Sequence, residues 1–241
     1  MAGQRPADAD ALALWFNPPG EANTSRRALT RERVVAEGLA VISAEGAQAL
    51  SMRALAARLG VVPGALYRHV RNKEQLYDLI LDAVLAEVDC RADPGRPWTA
   101  QVGALAQRLR SVLEERPGIA ALLKIRDPLS PASLALAEAF LAPLLAAGLP
   151  GREAAAAFRL VYDYTLGFSV ADPTSPAEQR LRDAATREQL QAFLRALPAS
   201  RFPALAAQGI HAWSADRDQR FASGLDTLLR GLEAVQRPGV S

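Results

Sequence analysis

The fold of this chain is decided by the stretch LSMRALAARLGVVPGALYRHVRNK, residues 50–73. Its apolar residues recur at helical spacing on both sides of Gly60, which predicts two short helices at about 51–59 and 63–70. Gly60 suits the turn between them, because glycine readily adopts the positive φ that ends a helix. Two helices joined by so tight a turn are typical of a helix-turn-helix, whose second helix enters the major groove of DNA.

The ends of these two helices carry suitable capping residues. Ser51 precedes the first helix, and its hydroxyl is expected to accept a hydrogen bond from a first-turn amide. Pro63 fits the first turn of the second helix, where its missing N–H costs nothing. Leu55, Leu66 and Val70 are expected to be buried. The capping signals therefore agree with the hydrophobic pattern.

The composition of the chain favours an all-helical protein. Half of the 241 residues are hydrophobic but only 6% are aromatic, and alanine and leucine outnumber the β-branched residues that strands prefer. No apolar run reaches the roughly 20 residues of a membrane span, and the N-terminus does not show the pattern of a signal peptide. Cys90 is the only cysteine, so an internal disulfide is excluded and a cytoplasmic location is expected.

Positive charge is concentrated around the helix-turn-helix. Residues 24–77 contain nine Arg or Lys residues and four Glu residues, whereas the whole chain has a net charge of only +2. Such a local excess is the footprint expected of a protein that binds phosphates. A solvated helical surface would explain the charge alone, but DNA binding also explains the helix-turn-helix beneath it.

Breaks in the helical pattern divide the chain into three parts. An N-terminal arm at 1–29 precedes a helix-turn-helix domain at 30–91, which includes a fourth helix after Asn72. The Pro- and Gly-rich break at 92–97 opens a third part, a helical domain at 92–241. Helices are predicted at about 31–44, 51–59, 63–70, 73–90, 98–113, 117–124, 131–147, 152–170, 177–196 and 214–236.

The first three predicted helices and the start of the fourth resemble the TetR family of bacterial transcriptional repressors. The resemblance covers about 29–88 and is most specific at 66–73, LYRHVRNK. The other residues that carry it are Thr30-Arg31-Glu32, Ser51-Met52-Arg53-Ala54-Leu55-Ala56 and Leu59-Gly60-Val61. The C-terminal half is similar in outline to the tetracycline-repressor branch, most of all at Phe202-Pro203-Ala204-Leu205 and Phe221-x-x-Gly224-Leu225-Asp226-x-Leu228-Leu229-x-Gly231-Leu232.

The resemblance implies an all-α fold, in which a three-helix helix-turn-helix DNA-binding domain precedes a helical ligand-binding and dimerisation domain. It also implies a homodimer that pairs through predicted helices 8 and 10, at about 152–170 and 214–236. The partner DNA would be a palindromic double-stranded operator. A small-molecule effector in the C-terminal domain would release this operator through a shift of predicted helix 4. The chain is thus expected to be a ligand-responsive transcriptional repressor without a cofactor.

The residues expected to contact DNA lie on both helices of the helix-turn-helix. The turn Pro63-Gly64-Ala65 is small enough to sit deep in the major groove, where Pro63 or Ala65 would pack on a thymine methyl. Arg53 and Arg68 are the candidates for guanine contacts, with a phosphate contact as the alternative for Arg53. The candidates for phosphate contacts, which position the protein, are Ser51, Tyr67, His69 and Lys73. Packing roles are the alternative for Tyr67 and His69.

The effector site is expected among polar and aromatic residues of the C-terminal domain and the end of predicted helix 4. An aromatic residue at helical spacing belongs to the core more often than to a ligand site, so both interpretations stay open. A metal-chelated tetracycline is disfavoured because only one histidine, His211, lies outside the DNA-binding region. The ligand-binding candidates are Asp89, Trp98, Arg126, Phe140, Phe158, Tyr162, Asp163 and Phe168.

Other classes of function fit the sequence less well. An enzyme is disfavoured because the chain has two histidines and one cysteine, and the sequence has no metal-ligand cluster, Gly-rich phosphate loop or nucleophile elbow. Two alternatives remain open at this stage. One is a DNA-binding regulator or activator without an effector, and the other is a helical protein–protein adaptor that has lost the DNA role.

Overall fold

The computed structural model describes residues 29–126, 128–170, 183–208 and 216–236. All regular structure in these ranges is helical, which confirms the predicted fold class. Most of the predicted arm at 1–29, the start of the predicted helix at 177–196, and His211 lie outside the described residues. None of the described helices is long and apolar enough to cross a membrane.

Eleven α-helices occur in the described ranges, together with a 3-10 helix at Ala47–Ala49. The chain forms two compact units, Met1–Val170 and Ala171–Ser241. The first unit contains α1 (Arg31–Glu45), α2 (Met52–Leu59), α3 (Pro63–Leu66), α4 (Lys73–Leu85), α5 (Trp98–Glu114), α6 (Ile119–Ile125), α7 (Pro131–Ala146) and α8 (Gly151–Val170). The second unit contains α9 (Ala184–Arg195), α10 (Pro203–Gln208) and α11 (Arg217–Gln236).

Side-chain caps begin the first two helices as predicted. Thr30 precedes α1, and its Oγ1 accepts a hydrogen bond from the Arg33 N–H at 3.2 Å. Ser51 precedes α2, and its Oγ accepts one from the Ala54 N–H at 3.1 Å. Gly60 follows α2 in the left-handed conformation, with a φ of 70°. The turn therefore has the backbone geometry for which glycine is the favoured residue.

The recognition helix is shorter than the predicted 63–70, which is a correction. The α-helix ends at Leu66, and the next residues form turns in which the His69 N–H bonds to the Leu66 carbonyl at 2.9 Å. Two neighbours explain the early end. The Arg31 side chain donates to the His69 carbonyl at 3.3 Å, and Asn72 needs extended backbone, with a φ of −162°, to cap α4.

The fourth helix also ends earlier than predicted, at Leu85 instead of about residue 90. Its last turn tightens, because the Glu87 and Val88 N–H groups bond to carbonyls only three residues back, at 3.1 Å each. Val88 then turns inward and is almost fully buried. The start of α4 agrees with the prediction, since the Asn72 Oδ1 accepts a hydrogen bond from the Gln75 N–H at 2.8 Å.

Helix α4 connects the helix-turn-helix to the rest of the first unit. It packs against α1 of the helix-turn-helix and also against α5 and α7. Leu76, Ile80 and Val84 are fully buried in these contacts. The core of the remainder is formed by α8, which packs against α5, α6 and α7. A displacement of α5 or α7 therefore has a direct route, through α4, to the helix-turn-helix.

Candidate nucleic-acid interface and effector site

Arg53 and Arg68 of the helix-turn-helix have guanidinium groups that no other described residue binds. Arg53 lies on the exposed side of α2, and Arg68 lies exposed in the turn after α3. Neither side chain has a hydrogen bond or an ion pair within the described ranges. By contrast, Arg58 of α2 donates to Glu37 at 2.6 Å and to Glu45 at 3.2 Å. Arg53 and Arg68 are thus available to a partner outside the chain.

The first turn of α3 presents a small, open surface. Pro63 and Gly64 are exposed, and Ala65 is half-buried. A Cβ atom added to Gly64 would meet no other atom within 4 Å. Within the described residues, no side chain lies against Gly64, as expected for a turn that enters the major groove.

The four predicted phosphate-binding residues differ in how available they are. Ser51 is exposed, and its hydroxyl proton is free to reach a phosphate because the oxygen only accepts in the cap. Tyr67 is 53% exposed. His69 is half-buried, which fits the packing role that was its alternative. The Lys73 ammonium lies 5.2 Å from the centre of the Tyr77 ring.

One further basic residue was not singled out from the sequence. Arg71 is exposed, and its side chain has no hydrogen bond or ion pair to any residue that the structure describes. We call α3 and the turn after it, 63–70, the recognition segment. Arg71 directly follows it, between the predicted phosphate contacts His69 and Lys73. The local excess of positive charge includes Arg71 and could have indicated a phosphate contact there. The helix-turn-helix pattern, however, assigned roles only to its neighbours.

Arg126, a predicted effector contact, binds two acidic residues of α4. Its guanidinium lies 2.9 Å from the Asp78 carboxylate and also pairs with Glu74. It also lies 5.6 Å from the centre of the Tyr77 ring. Burial opposes the charge of Arg126, but the two carboxylates outweigh it and raise the pKa of the guanidinium. The side chain is therefore engaged at the boundary of α4 and α6.

A second contact fixes the start of α7 to the same helix. The Asp82 carboxylate on α4 accepts a hydrogen bond from the Ala132 N–H, in the first turn of α7, at 2.9 Å. Carboxylates are favourable at this end of a helix because the first-turn N–H groups are otherwise unpaired. We call these two contacts the α4 anchor. In the first, Arg126 binds Glu74 and Asp78; in the second, the Ala132 N–H binds Asp82.

The α4 anchor continues into the helix-turn-helix through one aromatic side chain. The Tyr77 hydroxyl donates to the Ala47 carbonyl, in the 3-10 helix between α1 and α2, at 2.7 Å. The same ring lies beside the Arg126 guanidinium. Groups at the end of α6 are thus joined by direct contacts to the backbone that precedes α2.

Three of the predicted aromatic residues form one row on α7 and α8. The ring centres of Phe140 and Phe158 are 5.6 Å apart, as are those of Phe158 and Tyr162. Phe140 is fully buried and Tyr162 nearly so, whereas Phe158 is half-buried. These distances lie in the range of favourable aromatic contacts. The row is both part of the core and the largest aromatic wall among the candidates.

The remaining candidates on α8 and α5 lie apart from this row. Asp163 is exposed and pairs with Arg159, one turn earlier, at 3.0 Å. The Phe168 ring packs on Tyr164, with 5.0 Å between ring centres. Trp98 is half-buried at the first residue of α5. The structure therefore does not gather all eight candidates into one site.

Asp89 lies beside a cleft of about 40 Å³ that we call the arginine cleft. Residues of the segment after α4, of α5 and of α7 line it, and three of them are Arg91, Arg96 and Arg108. The Arg91 guanidinium donates two hydrogen bonds of 2.9 Å to the Asp89 carboxylate. Arg108 donates to the carbonyls of Asp89 at 2.6 Å and Arg91 at 3.3 Å. Arg108 was not predicted, although it follows Leu105 at helical spacing.

The electrostatics of the arginine cleft favour negative charge. Hydrogen bonds from Arg91 hold the pKa of the Asp89 carboxyl well below its usual range, and the charge of Arg108 adds to the effect. Burial raises the pKa of the Cys90 thiol, which also lines the cleft. No group of three His, Cys, Asp or Glu residues suited to a metal ion occurs in the described part of the chain.

Two family models match the chain. Residues 34–80 match the model of bacterial regulatory proteins of the tetR family. Residues 92–236 match the model of the tetracyclin repressor-like C-terminal domain. The first match ends within α4 and the second begins at the break at 92–97, and together they cover most of the described helices.

Curated relatives match over almost their whole length. An HTH-type transcriptional regulator of Saccharopolyspora erythraea is 34% identical over 223 residues, 92% of this chain and 92% of that protein. The HTH-type transcriptional repressor DrrR1 of Streptomyces coeruleorubidus is 31% identical over 95% of this chain and 87% of its own.

Solved structures agree with these matches. Apo ActR from Streptomyces coelicolor has a TM-score of 0.75 and 34% identity, and covers 86% of this chain and 96% of its own. ActR in complex with actinorhodin has a TM-score of 0.74 and 33% identity, over 88% of this chain and all of that one. ActR was also solved with (S)-DNPA.

Proposed function

This chain belongs to the TetR family of bacterial regulatory proteins, and from that premise we propose which of its residues read the operator, form the dimer and transmit the effector signal. Regulators of this family bind DNA through the N-terminal domain, act as dimers and respond to small molecules; they are not enzymes. The chain is a ligand-responsive, DNA-binding transcriptional repressor of this kind. It works in the cytoplasm, where its operator lies.

Operator recognition rests on Arg53 and Arg68, whose guanidinium groups have no partner among the described residues. In the sequence Arg53 precedes and Arg68 follows the open turn at Pro63, Gly64 and Ala65, and a guanidinium is the group best suited to guanine O6 and N7. Ser51, Tyr67, Lys73 and Arg71 contact phosphates around them. The observation that carries this assignment is the absence of any partner for Arg53 and Arg68 within the described residues, while Arg58, on the same helix as Arg53, is paired twice. Arg71 is equally unpaired but lies farther along the chain from the open turn, so we assign it to a phosphate.

The homodimer forms through α8 and α11, the helices at predicted positions 8 and 10. Leu160, Tyr164 and Phe168 follow one another at four-residue spacing on α8, and Leu160 is 44% exposed. A Cβ added to Gly167 of α8 or to Gly231 of α11 would meet nothing within 4 Å, so both helices offer open stretches for close approach. An apolar stripe at this spacing is the usual contact surface of paired helices.

The effector signal reaches the DNA-binding helices through the α4 anchor. Arg126 and Ala132 flank the segment between α6 and α7, and both hold acidic side chains of α4. A ligand that moves α6 or α7 would therefore displace α4 and, through Tyr77, the 3-10 helix before α2. In a dimer such a shift changes the separation of the two recognition segments, which must match the spacing of the half-sites.

The effector itself contacts the helical body of the first unit. The aromatic row at Phe140, Phe158 and Tyr162 offers the apolar wall that small-molecule sites use, and Asp89 lies at the arginine cleft. The relative ActR binds actinorhodin and (S)-DNPA, which supports a small organic molecule as the effector here. Trp98, Asp163 and Phe168 remain candidates at its edges.

The assignment of the operator contacts is tested by selecting duplexes from a random DNA library on the full-length protein. Arg68→Ala should bind the selected operator about 10- to 100-fold more weakly, because a bidentate guanine contact contributes about 1–3 kcal/mol. Its affinity for unrelated DNA should change much less. Arg152→Ala is the matched control, since it removes an exposed arginine at the start of α8.

Two outcomes would contradict the proposal at different levels. If Arg68→Ala binds the operator like the parent protein, the recognition residues are assigned wrongly. If no duplex is enriched at all, the repressor role fails and a helical adaptor becomes the better interpretation.

A further inference from the structure

Beside the arginine cleft, the Asp89 carboxylate lies between two guanidinium groups, and both of these arginines, Arg91 and Arg108, line the cleft. Asp89 receives both hydrogen bonds of the Arg91 fork, and its carboxylate also lies 3.5 Å from Arg108. The paired nitrogens of a guanidinium match the two oxygens of a carboxylate in spacing and in plane. The geometry around Asp89 is therefore specific for a planar carboxylate and not merely for negative charge.

The contacts of Asp89 are open to exchange. The Asp89 side chain is 40% exposed and the Arg91 side chain 88% exposed. Ion pairs at such exposed positions contribute little to stability, because water and salt compete with both partners. A carboxylate from a ligand can take the place of the Asp89 carboxylate without breaking a buried contact. Arg108 would stay in place, because it is also held by two backbone carbonyls.

The remaining lining of the cleft indicates what is attached to that carboxylate. Leu105 is almost fully buried, and with Ala104 and Ala139 it forms an apolar side of the space. The polar residues Asp93 and Gln101 line the cleft as well, and its three arginines outnumber the one carboxylate of Asp93. A volume of about 40 Å³ admits one carboxylate-sized group, whereas whole drug-sized ligands need about 300–1,000 Å³. The cleft therefore suits the acidic end of a larger molecule whose next atoms are apolar.

We propose that the arginine cleft binds the carboxylate of an apolar organic acid, which replaces the Asp89 carboxylate at Arg91 and Arg108. The proposal rests on the proposed function, since it names the chemical class of the effector. Arg108 holds the carbonyls of Asp89 and Arg91, so an acid at this position acts on the segment that directly follows α4. The effector's acidic group is thereby placed next to the helix that transmits its signal.

Calorimetric titration of the full-length protein without DNA tests the proposal. The probe is 2-naphthoate, and the neutral 2-naphthamide is its isosteric control. Asp89→Asn removes the competing carboxylate and should bind naphthoate about three- to tenfold more tightly. Arg108→Gln should weaken binding by about tenfold or more. Arg152→Gln removes an exposed charge elsewhere and should stay within about twofold of the parent protein.

Several results would overturn the proposal. Equal affinity for naphthoate and naphthamide would show that the cleft does not recognise the acid. Weaker naphthoate binding by Asp89→Asn would show that no exchange takes place. Absence of naphthoate binding to both the parent protein and Asp89→Asn at about 10 mM would exclude the site. Asp89→Asn keeps the test valid even if Arg108→Gln does not fold.

The result can be separated from the proposed function by the DNA selection described above. A protein that enriches an operator but does not bind naphthoate contradicts only the acid site. A protein that binds naphthoate in the expected pattern but enriches no duplex contradicts only the repressor role.

Discussion

The Arg126 guanidinium lies 2.9 Å from the Asp78 carboxylate, although the two residues are 48 positions apart in the chain. This pair joins the end of α6 to the first half of α4. Arg126 was expected at the effector, since an arginine near the ligand-binding helices is a natural contact for a polar group. The structure gives Arg126 two acidic partners on α4, and a role in holding α4 follows from their position.

The Arg126–Asp78 pair should show a measurable coupling energy. Its side chains are 24% and 34% exposed, so Arg126→Gln should lower the free energy of unfolding by about 1 kcal/mol. In a double-mutant cycle with Asp78→Asn, the coupling should be about 0.5–1 kcal/mol by urea denaturation. The control cycle uses Arg159 and Asp163, whose side chains are more exposed. Its coupling should be only a few tenths of a kcal/mol, and equal couplings would contradict the anchor.

The contact between α1 and the start of α6 can be tested at a single glycine. Gly118 has a φ of 84°, and an added Cβ would lie 3.3 Å from both the Cγ2 and the carbonyl oxygen of Ile42. Gly60 has a φ of 70° but open space around the added atom, which makes Gly60→Ala the control for backbone strain alone. Both substitutions should lower the free energy of unfolding by about 1 kcal/mol from the positive φ.

Gly118→Ala should cost about 1 kcal/mol more than Gly60→Ala, because the Ile42 backbone has little freedom to withdraw. The comparison is made by urea denaturation of both variants beside the parent protein. Equal losses would mean that α1 and α6 are not held in close contact at this point.

Local sequence signals predicted the helix-turn-helix accurately, and their failures have a physical pattern. Ser51, Gly60 and Asn72 act on backbone groups within four residues, so their roles are readable from the sequence. The predicted end of α3 was wrong because the Arg31 side chain, 38 positions before His69, donates a hydrogen bond to the His69 carbonyl. Such distant hydrogen bonds leave no periodic trace.

The candidate site shows the same division. The exposure of Arg53 and Arg68 could be predicted from the helix-turn-helix pattern, because buried positions recur at three- to four-residue spacing along a helix. The arginine cleft did not, since Asp89 and Arg108 meet only after the segment between α4 and α5 has folded back. Interactions within a helix were predictable, whereas the partners of charged side chains on different helices were not.

The open turn at Gly64 predicts a variant that separates DNA binding from stability. Gly64→Ala adds a methyl group that would have no described atom within 4 Å, and alanine favours a helix over glycine by about 0.5–1 kcal/mol. The melting temperature should therefore stay the same or rise. Operator affinity, measured by fluorescence anisotropy, should fall if bases approach the Gly64 backbone closely. An unchanged affinity would place this turn away from the bases.

The dimer surface on α8 makes a prediction that links assembly to DNA binding. Leu160→Glu places a charge on the apolar stripe that includes Tyr164 and Phe168, and burial of that charge against a second subunit is strongly unfavourable. Light scattering should report a monomer for Leu160→Glu. Arg152→Glu lies in the first turn of the same helix, two turns before Leu160, and should remain a dimer because it replaces one exposed charged side chain by another.

Operator binding by Leu160→Glu should weaken far more than its folding. When a dimer binds two half-sites, translational and rotational entropy is lost once. Two monomers that bind the same half-sites lose it twice. Circular dichroism should show the helix content of the parent protein, because Leu160 is 44% exposed in the single chain. Binding to a palindromic duplex should fall by about two orders of magnitude or more, while binding to an isolated half-site should change little. A dimer of Leu160→Glu with full operator affinity would mean that α8 does not form the interface.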